Sequence, residues 1–313
     1  MEEDRLNSPH TSAISLEIFG HQLQFSQDPN SKHLGTTVWD ASMVFVKFLE
    51  RNCRKGRFCP AKLKGKRVIE LGAGCGVAGF GMAMLGCDVV TTDQIEVLPL
   101  LMRNVDRNTS RILQSHLDSS SFGSMKAAEL DWGNEEHIKA VEPPFDFIIG
   151  TDVVYAEHLL DPLLQTIFSL SGPKTTILLG YEIRNMVVHE QMLQMWKSNF
   201  EVKTVPRAKM DNKYQHPSIH LYIMGSKAQP LEVEKEGQHH DEEVPEVGST
   251  DKHGNDEDSE SCSGVDELED CSSKEVLEDR KIGAGLEGGK LDDWEARRCG
   301  AMAARLLRDI KIT

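Results

Sequence analysis

No stretch of about 18 apolar residues occurs in the chain, so no helical membrane span is expected. The N-terminus, Met1-Glu2-Glu3-Asp4-Arg5, lacks the apolar segment of a secretory signal, and secretion is not expected either. Paired C-x-x-C motifs are missing. The seven cysteines (Cys53, Cys59, Cys75, Cys87, Cys262, Cys271 and Cys299) are odd in number and scattered. Neither a disulfide framework nor a metal site is expected, and reduced thiols in cytosol or nucleus are the default. Cys75 and Cys87 read as small core residues. The lone histidines (His33, His137, His158, His189 and His220) have no partner at metal-ligand spacing and read as surface residues.

The folded part also lacks a strong charge of either sign. The 313-residue chain carries a formal net charge of −15. Between Pro230 and Asp279 stand 19 acidic and 3 basic side chains, a net of −16. Everything else therefore sums to +1, and the acidity belongs to one segment.

What the chain does have is alternation. Residues 13–25 carry alternating apolar positions around Gly20-His21, the pattern of a β-hairpin. Val38 to Leu49 has apolar residues at helical spacing. Strand-like runs at Arg67–Leu71 (β-branched), Cys87–Thr92, Ala127–Leu130, Phe145–Ile149 and Thr175–Leu179 then alternate with helical patterns. Those helices run through Leu85, from Ile95 to Asn108, from Leu159 to Leu170 and from Met186 to Trp196. Such βαβ alternation predicts an α/β, Rossmann-like, doubly wound and mostly parallel sheet. Phe200–Val205 and Ile219–Met224 are joined by a short polar loop without a helix, so an antiparallel closing hairpin is expected. This gives a flexible start over 1–12, a domain over 13–227, a disordered acidic linker over 228–285 and a C-terminal helix over 286–313.

The chemistry centres on Glu70-Leu71-Gly72-Ala73-Gly74-Cys75-Gly76, a strand ending in an acid and followed by glycines and a helix. Glycines let the backbone turn sharply and approach a ligand closely, and the helix N-terminus behind them offers free N–H groups. In a methyltransferase such a loop faces the methionine part of S-adenosylmethionine, and Glu70 can hold its ammonium. Gly74-Cys75-Gly76-Val77-Ala78-Gly79 also matches G-x-G-x-x-G, which alone would suggest a dinucleotide. The register argues against it, because the first glycine after the strand is Gly72 and position 77 is valine. Asp93, at the tip of the next strand, suits ribose hydroxyls in either cofactor. Asp131-Trp132 pairs an acid for the adenine amine with a ring face for stacking.

These residues together resemble the family-16 protein-lysine methyltransferases, the seven-strand class I enzymes. The resemblance rests on Val38-Trp39-Asp40, the glycine loop, Leu130-Asp131-Trp132, Asp152-Val153-Val154-Tyr155 and Tyr181-Glu182-Ile183-Arg184. It spans roughly Ile14 to Met224, and the tail after Lys227 lies outside it. The resemblance implies S-adenosyl-L-methionine as cofactor, with Trp39, Glu70, Gly72, Ala73, Gly74, Gly76, Asp93, Asp131 and Trp132 around it. It implies Asp152, Tyr155 and Glu182 as catalytic residues, with Arg184 in the same motif as Glu182. It also implies a protein partner: a chaperone, an AAA ATPase or a translation factor.

A lysine amine, with pKa near 10.4, must lose a proton before it can attack a methyl group. Asp152 is expected to orient that amine or relay its proton, with Tyr155 shaping the channel; a helix N-cap is the plain alternative for Asp152. Adenine and glutamine-amide methyltransferases carry an Asn- or Asp-Pro-Pro-Tyr motif, which Asp152-Val153-Val154-Tyr155 departs from, while Pro143-Pro144 reads as a loop. The basic run of Arg51, Arg54, Lys55, Arg57, Lys62, Lys64, Lys66 and Arg67 reads as a solvated linker, so a nucleic-acid substrate is not expected. A methyltransferase of another substrate class and a non-catalytic binding module stay open as alternatives. A monomer in the cytoplasm is expected, with nuclear presence left open.

Overall fold

The computed structural model describes residues 12–29, 31–114 and 121–227. The acidic linker over 228–285 and the C-terminal helix over 286–313 lie outside the described residues. So does the flexible start, except for Ser12, which opens the first strand.

Strands β1 (Ser12–Ile18) and β2 (His21–Gln27) form the antiparallel hairpin around Phe19-Gly20. Helix α1 (Asp40–Asn52) follows, then a short α2 (Pro60–Leu63). The alternating series is β3 (Arg67–Leu71), α3 (Val77–Ala83), β4 (Asp88–Asp93), α4 (Leu98–Gln114), β5 (Ser124–Glu129), α5 (Glu135–Ala140), β6 (Phe145–Thr151), α6 (Leu160–Leu170), β7 (Ser171–Glu182) and α7 (Met186–Asn199). It closes with β8 (Phe200–Thr204) and β9 (Ile219–Ser226). The seven-stranded sheet has the order β5-β4-β3-β6-β7-β9-β8, and only β9 runs antiparallel, inserted between β7 and β8. The doubly wound fold and its antiparallel closure thus match the expectation.

Strand geometry explains the layers. Successive side chains point to opposite faces, so Val68 joins the core under α1 and α3 while Ile69 and Leu71 join the one under α6 and α7. Both faces are covered, which is why these strands read as unbroken apolar runs. Ile18, Leu23 and Phe25 of the hairpin are essentially fully buried, and Phe25 meets Phe80 edge-on at 5.7 Å. Each such side chain contributes about 1.5–3 kcal/mol, enough to seat the hairpin firmly on the domain.

Two expectations need correction. The basic run is solvated as expected, exposed at every basic residue but Arg67, yet it is not all loop: Arg51 belongs to α1, Lys62 to α2 and Arg67 to β3. Arg67 lies over the Phe145 ring at 4.6 Å and donates to the carbonyls of Pro144 and Glu142. It sits at the N-terminal edge of the parallel strands. His189 is not a surface residue: it is buried, with Nδ1 2.7 Å from the Tyr181 hydroxyl. Among the described residues no helix is long and apolar enough to cross a membrane.

Candidate active site

The chain order leaves β3 for β4 and β5 on one side, then returns to β6 on the other. Open α/β sheets bind ligands at the C-terminal strand ends beside such a switch point. A cavity of about 590 Å³ opens there, within the range of cofactor-sized pockets, roughly 300–1,000 Å³.

Its floor is the glycine loop. Gly72, Ala73 and Gly74 line it, with Gly72 at φ +57° and Gly74 at φ +59°. A Cβ on Gly72 would fall 2.9 Å from Val153 and 3.2 Å from Trp132; one on Gly74 would fall 2.7 Å from the Gly35 carbonyl oxygen. Gly76, at φ +85°, caps α3 and does not line the cavity. Cys75 is buried as expected and also lines the cavity.

Glu70 is placed differently from its expected role. Strand alternation turns it to the face covered by α3, where it is fully buried and absent from the cavity wall. Its Oε2 accepts the Thr91 hydroxyl at 2.5 Å, and Gly79 passes so close that a Cβ there would collide with that oxygen. Burial pushes its carboxyl up to about 7. Glu70 packs behind the loop and α3, with its Oε1 left without a partner, and does not line the cavity.

Asp93, at the end of β4, lines the cavity. Its carboxylate accepts the Gly74 N–H at 2.7 Å and the Gln94 N–H at 2.8 Å, and burial pushes it up to about 6. Asp131 and Trp132 line the far end, beyond β5. The Asp131 N–H donates to His137 Nδ1 at 3.2 Å. Glu129, Asp131 and His137 bring one ligand-type atom each within 4.8 Å of one another, a proximity the chain spacing concealed. With His137 Nδ1 already engaged, no metal is assigned there.

Trp39 stands on the opposite wall, its Nε1 donating to the Leu34 carbonyl at 2.9 Å. Over its ring lies the Arg184 guanidinium at 4.9 Å. Arg184 bridges two acids, Asp152 Oδ1 and Glu182 Oε2, each at 3.1 Å. Asp152 is held at φ +57°, a left-handed conformation that costs a side-chain-bearing residue about 1–3 kcal/mol and often marks functional sites. Its Oδ1 also accepts the Glu182 N–H at 3.0 Å. Its Oδ2 is buried without a partner. Burial raises its carboxyl above the usual range, opposed by Arg184. Tyr155 lines the mouth and is half-exposed, whereas Glu182 faces away from the cavity, its Oε1 accepting the Ser218 hydroxyl at 3.1 Å. The expected catalytic trio therefore splits: Asp152 and Tyr155 meet at the cavity, and Glu182, which does not line it, holds Asp152 through its own N–H and through Arg184.

Left-handed glycines on the cavity floor, an acid at the end of β4 and an acid–tryptophan pair beyond β5 define a Rossmann-like S-adenosylmethionine-dependent methyltransferase. Residues 19–199 match the lysine methyltransferase family, and the chain belongs to it. It is 34% identical over 200 residues to protein N-lysine methyltransferase METTL21A of Danio rerio, covering 64% of this chain and 84% of that protein. It is 31% identical over 166 residues to EEF1A lysine methyltransferase 3 of Mus musculus, covering 53% and 63%. A TehB-like SAM-dependent methyltransferase structure from Corynebacterium glutamicum aligns with a TM-score of 0.39 at 14% identity over 62% of this chain and 90% of that one, too distant to inform the site.

Proposed function

We propose that the chain methylates a lysine side chain of a partner protein, drawn from chaperones, AAA ATPases or translation factors, in the cytoplasm. The name of the EEF1A relative supports the last of these classes. When bound, S-adenosylmethionine supplies an electrophilic methyl group on a sulfonium sulfur.

The residues present fit that group. Gly72 and Gly74 line the cavity where a Cβ would displace Val153, Trp132 or the Gly35 carbonyl from its walls, Asp93 suits the ribose hydroxyls, and Asp131 with Trp132 suits adenine. The chain's own work is to bring a lysine amine to the methyl group and dispose of its proton. Desolvation beside Tyr155 favours the neutral amine. The partnerless Oδ2 of Asp152 is the observation that carries the assignment. Leaving a buried acceptor unpaired costs about 1–3 kcal/mol, and an amine N–H relieves it. Arg184 and the Glu182 N–H hold Oδ1, which leaves Oδ2 as the oxygen free to take an amine N–H. Positioning of this kind accounts for much of the barrier reduction in two-reactant chemistry.

Asp152→Asn is expected to keep affinity for S-adenosylhomocysteine within about twofold while turnover falls about a hundredfold, the usual size of a lost proton-handling group. Turnover at the unaltered rate would remove Asp152 from the mechanism.

A further inference from the structure

Helix α4 carries two asparagines one turn apart, Asn104 and Asn108, both fully buried. Each treats β2 as a neighbouring strand would. Asn104 Oδ1 accepts the Ser26 N–H at 2.8 Å and its Nδ2 donates to the Ser26 carbonyl at 3.0 Å. Asn108 does the same to Gln24, at 2.8 and 3.0 Å. A helix thus satisfies an edge that would otherwise present bare donors and acceptors. Apolar burial seats the hairpin without specifying its register; these directional amide pairs specify it.

The two asparagines differ in one respect. Asn104 Nδ2 also donates to the Cys75 carbonyl at 3.2 Å, in the glycine loop. Asn108 Nδ2 instead closes onto the Asn104 carbonyl of its own helix. From Ser26 the connection to the opposite wall is short. Gln27 Oε1 accepts the Val38 N–H at 3.2 Å, and the Asp28 N–H donates to the Thr36 carbonyl at 2.7 Å. These bonds brace the segment whose Gly35 rests on Gly74 and whose Trp39 faces Arg184.

We propose that Asn104, which does not itself line the cavity, is a positioning residue for the cofactor. It ties the glycine loop to the hairpin and so fixes the separation of the two walls. This rests on the cofactor reading above. Nothing in the local sequence marks it, because an asparagine inside an amphipathic helix reads as a solvated position.

The test compares Asn104→Ala with Asn108→Ala in the full chain, by calorimetric titration with S-adenosylhomocysteine and by thermal unfolding. Both lose an amide pair to β2, but only the first releases Cys75. Asn104→Ala is expected to weaken binding about tenfold, whereas Asn108→Ala, with a similar fall in Tm, binds within about twofold, a difference well above the resolution of such data. Equal effects on binding at matched loss of Tm, or no effect in either, would make Asn104 merely structural. Should Asn104→Ala fail to fold, hydrogen exchange on the unaltered protein decides. Saturating S-adenosylhomocysteine is expected to slow exchange of the Ser26 N–H, held by Asn104, more than that of the Gln24 N–H, held by Asn108, and equal or unchanged exchange at the two would overturn the proposal. If the unaltered protein does not bind S-adenosylhomocysteine at all, the cofactor reading itself fails.

Discussion

At the scale of single residues, the site holds its acids in three states. Asp152 is paired on one oxygen and bare on the other. Glu70 is sealed beneath α3. Asp93 is buried yet faces the cavity, and that burial pushes its carboxyl up to about 6, which leads to a pH dependence of binding. A ligand whose hydroxyls donate to the carboxylate selects the ionised form. Affinity for S-adenosylhomocysteine should therefore be level above pH 7 and fall as pH drops through about 6, by up to about tenfold per unit. Stability runs the opposite way. Because the folded pKa is raised from 3.8, the empty protein binds that proton more tightly than the unfolded chain. Asp93 thus costs stability as pH rises through this window. Calorimetry between pH 5 and 8 checks the binding claim; Asp93→Asn should bind weakly with a flat profile, and a flat profile in the unaltered protein would exclude Asp93 from ligand contact.

At the scale of elements, the glycine loop depends on the segment that follows β2. Gly74 needs both its left-handed φ and its missing Cβ, since the Gly35 carbonyl stands where that atom would lie. Gly65 shares the left-handed φ (+72°) but meets nothing within 4 Å. Both Gly74→Ala and Gly65→Ala should carry the backbone strain, about 1–2 kcal/mol. Only Gly74→Ala should also abolish S-adenosylhomocysteine binding, and equal binding by the two would show that the loop tolerates displacement.

The elements that were legible in the sequence are those with strong periodic burial. β3 and β6 are β-branched cores, and the hairpin alternates around its glycine turn. Helix α5 went unread because only Ile138 of its six residues is buried, which leaves no periodic stripe. β7 begins earlier than its apolar run because Ser171–Lys174 is a polar, partly exposed extension. The site divides in the same way. Gly72, Gly74, Asp93 and the Asp131-Trp132 pair follow from positions at strand ends, and the structure brings them to one cavity. The outward turn of Glu70 and Glu182 depends on strand parity and packing partners. The link between Trp39 and Arg184 joins segments 145 positions apart, and no local pattern encodes it.

At the scale of the whole molecule, chemistry and charge lie at opposite sheet edges. The cavity opens at the C-terminal strand ends, and the basic run enters β3 at the other. The cavity lining includes Tyr155 and Leu34 as exposed hydrophobic residues. The family match agrees with a protein substrate. The central claim is lysine methylation, and one measurement addresses it directly. The purified chain is incubated with methyl-tritiated S-adenosylmethionine and a hypomethylated protein extract, and the recovered protein is hydrolysed in acid for amino-acid analysis. Tritium is expected in N-methyllysine, and Asp152→Asn is expected to all but abolish it. Tritium in another residue or in nucleic acid, or none transferred at all, would contradict it.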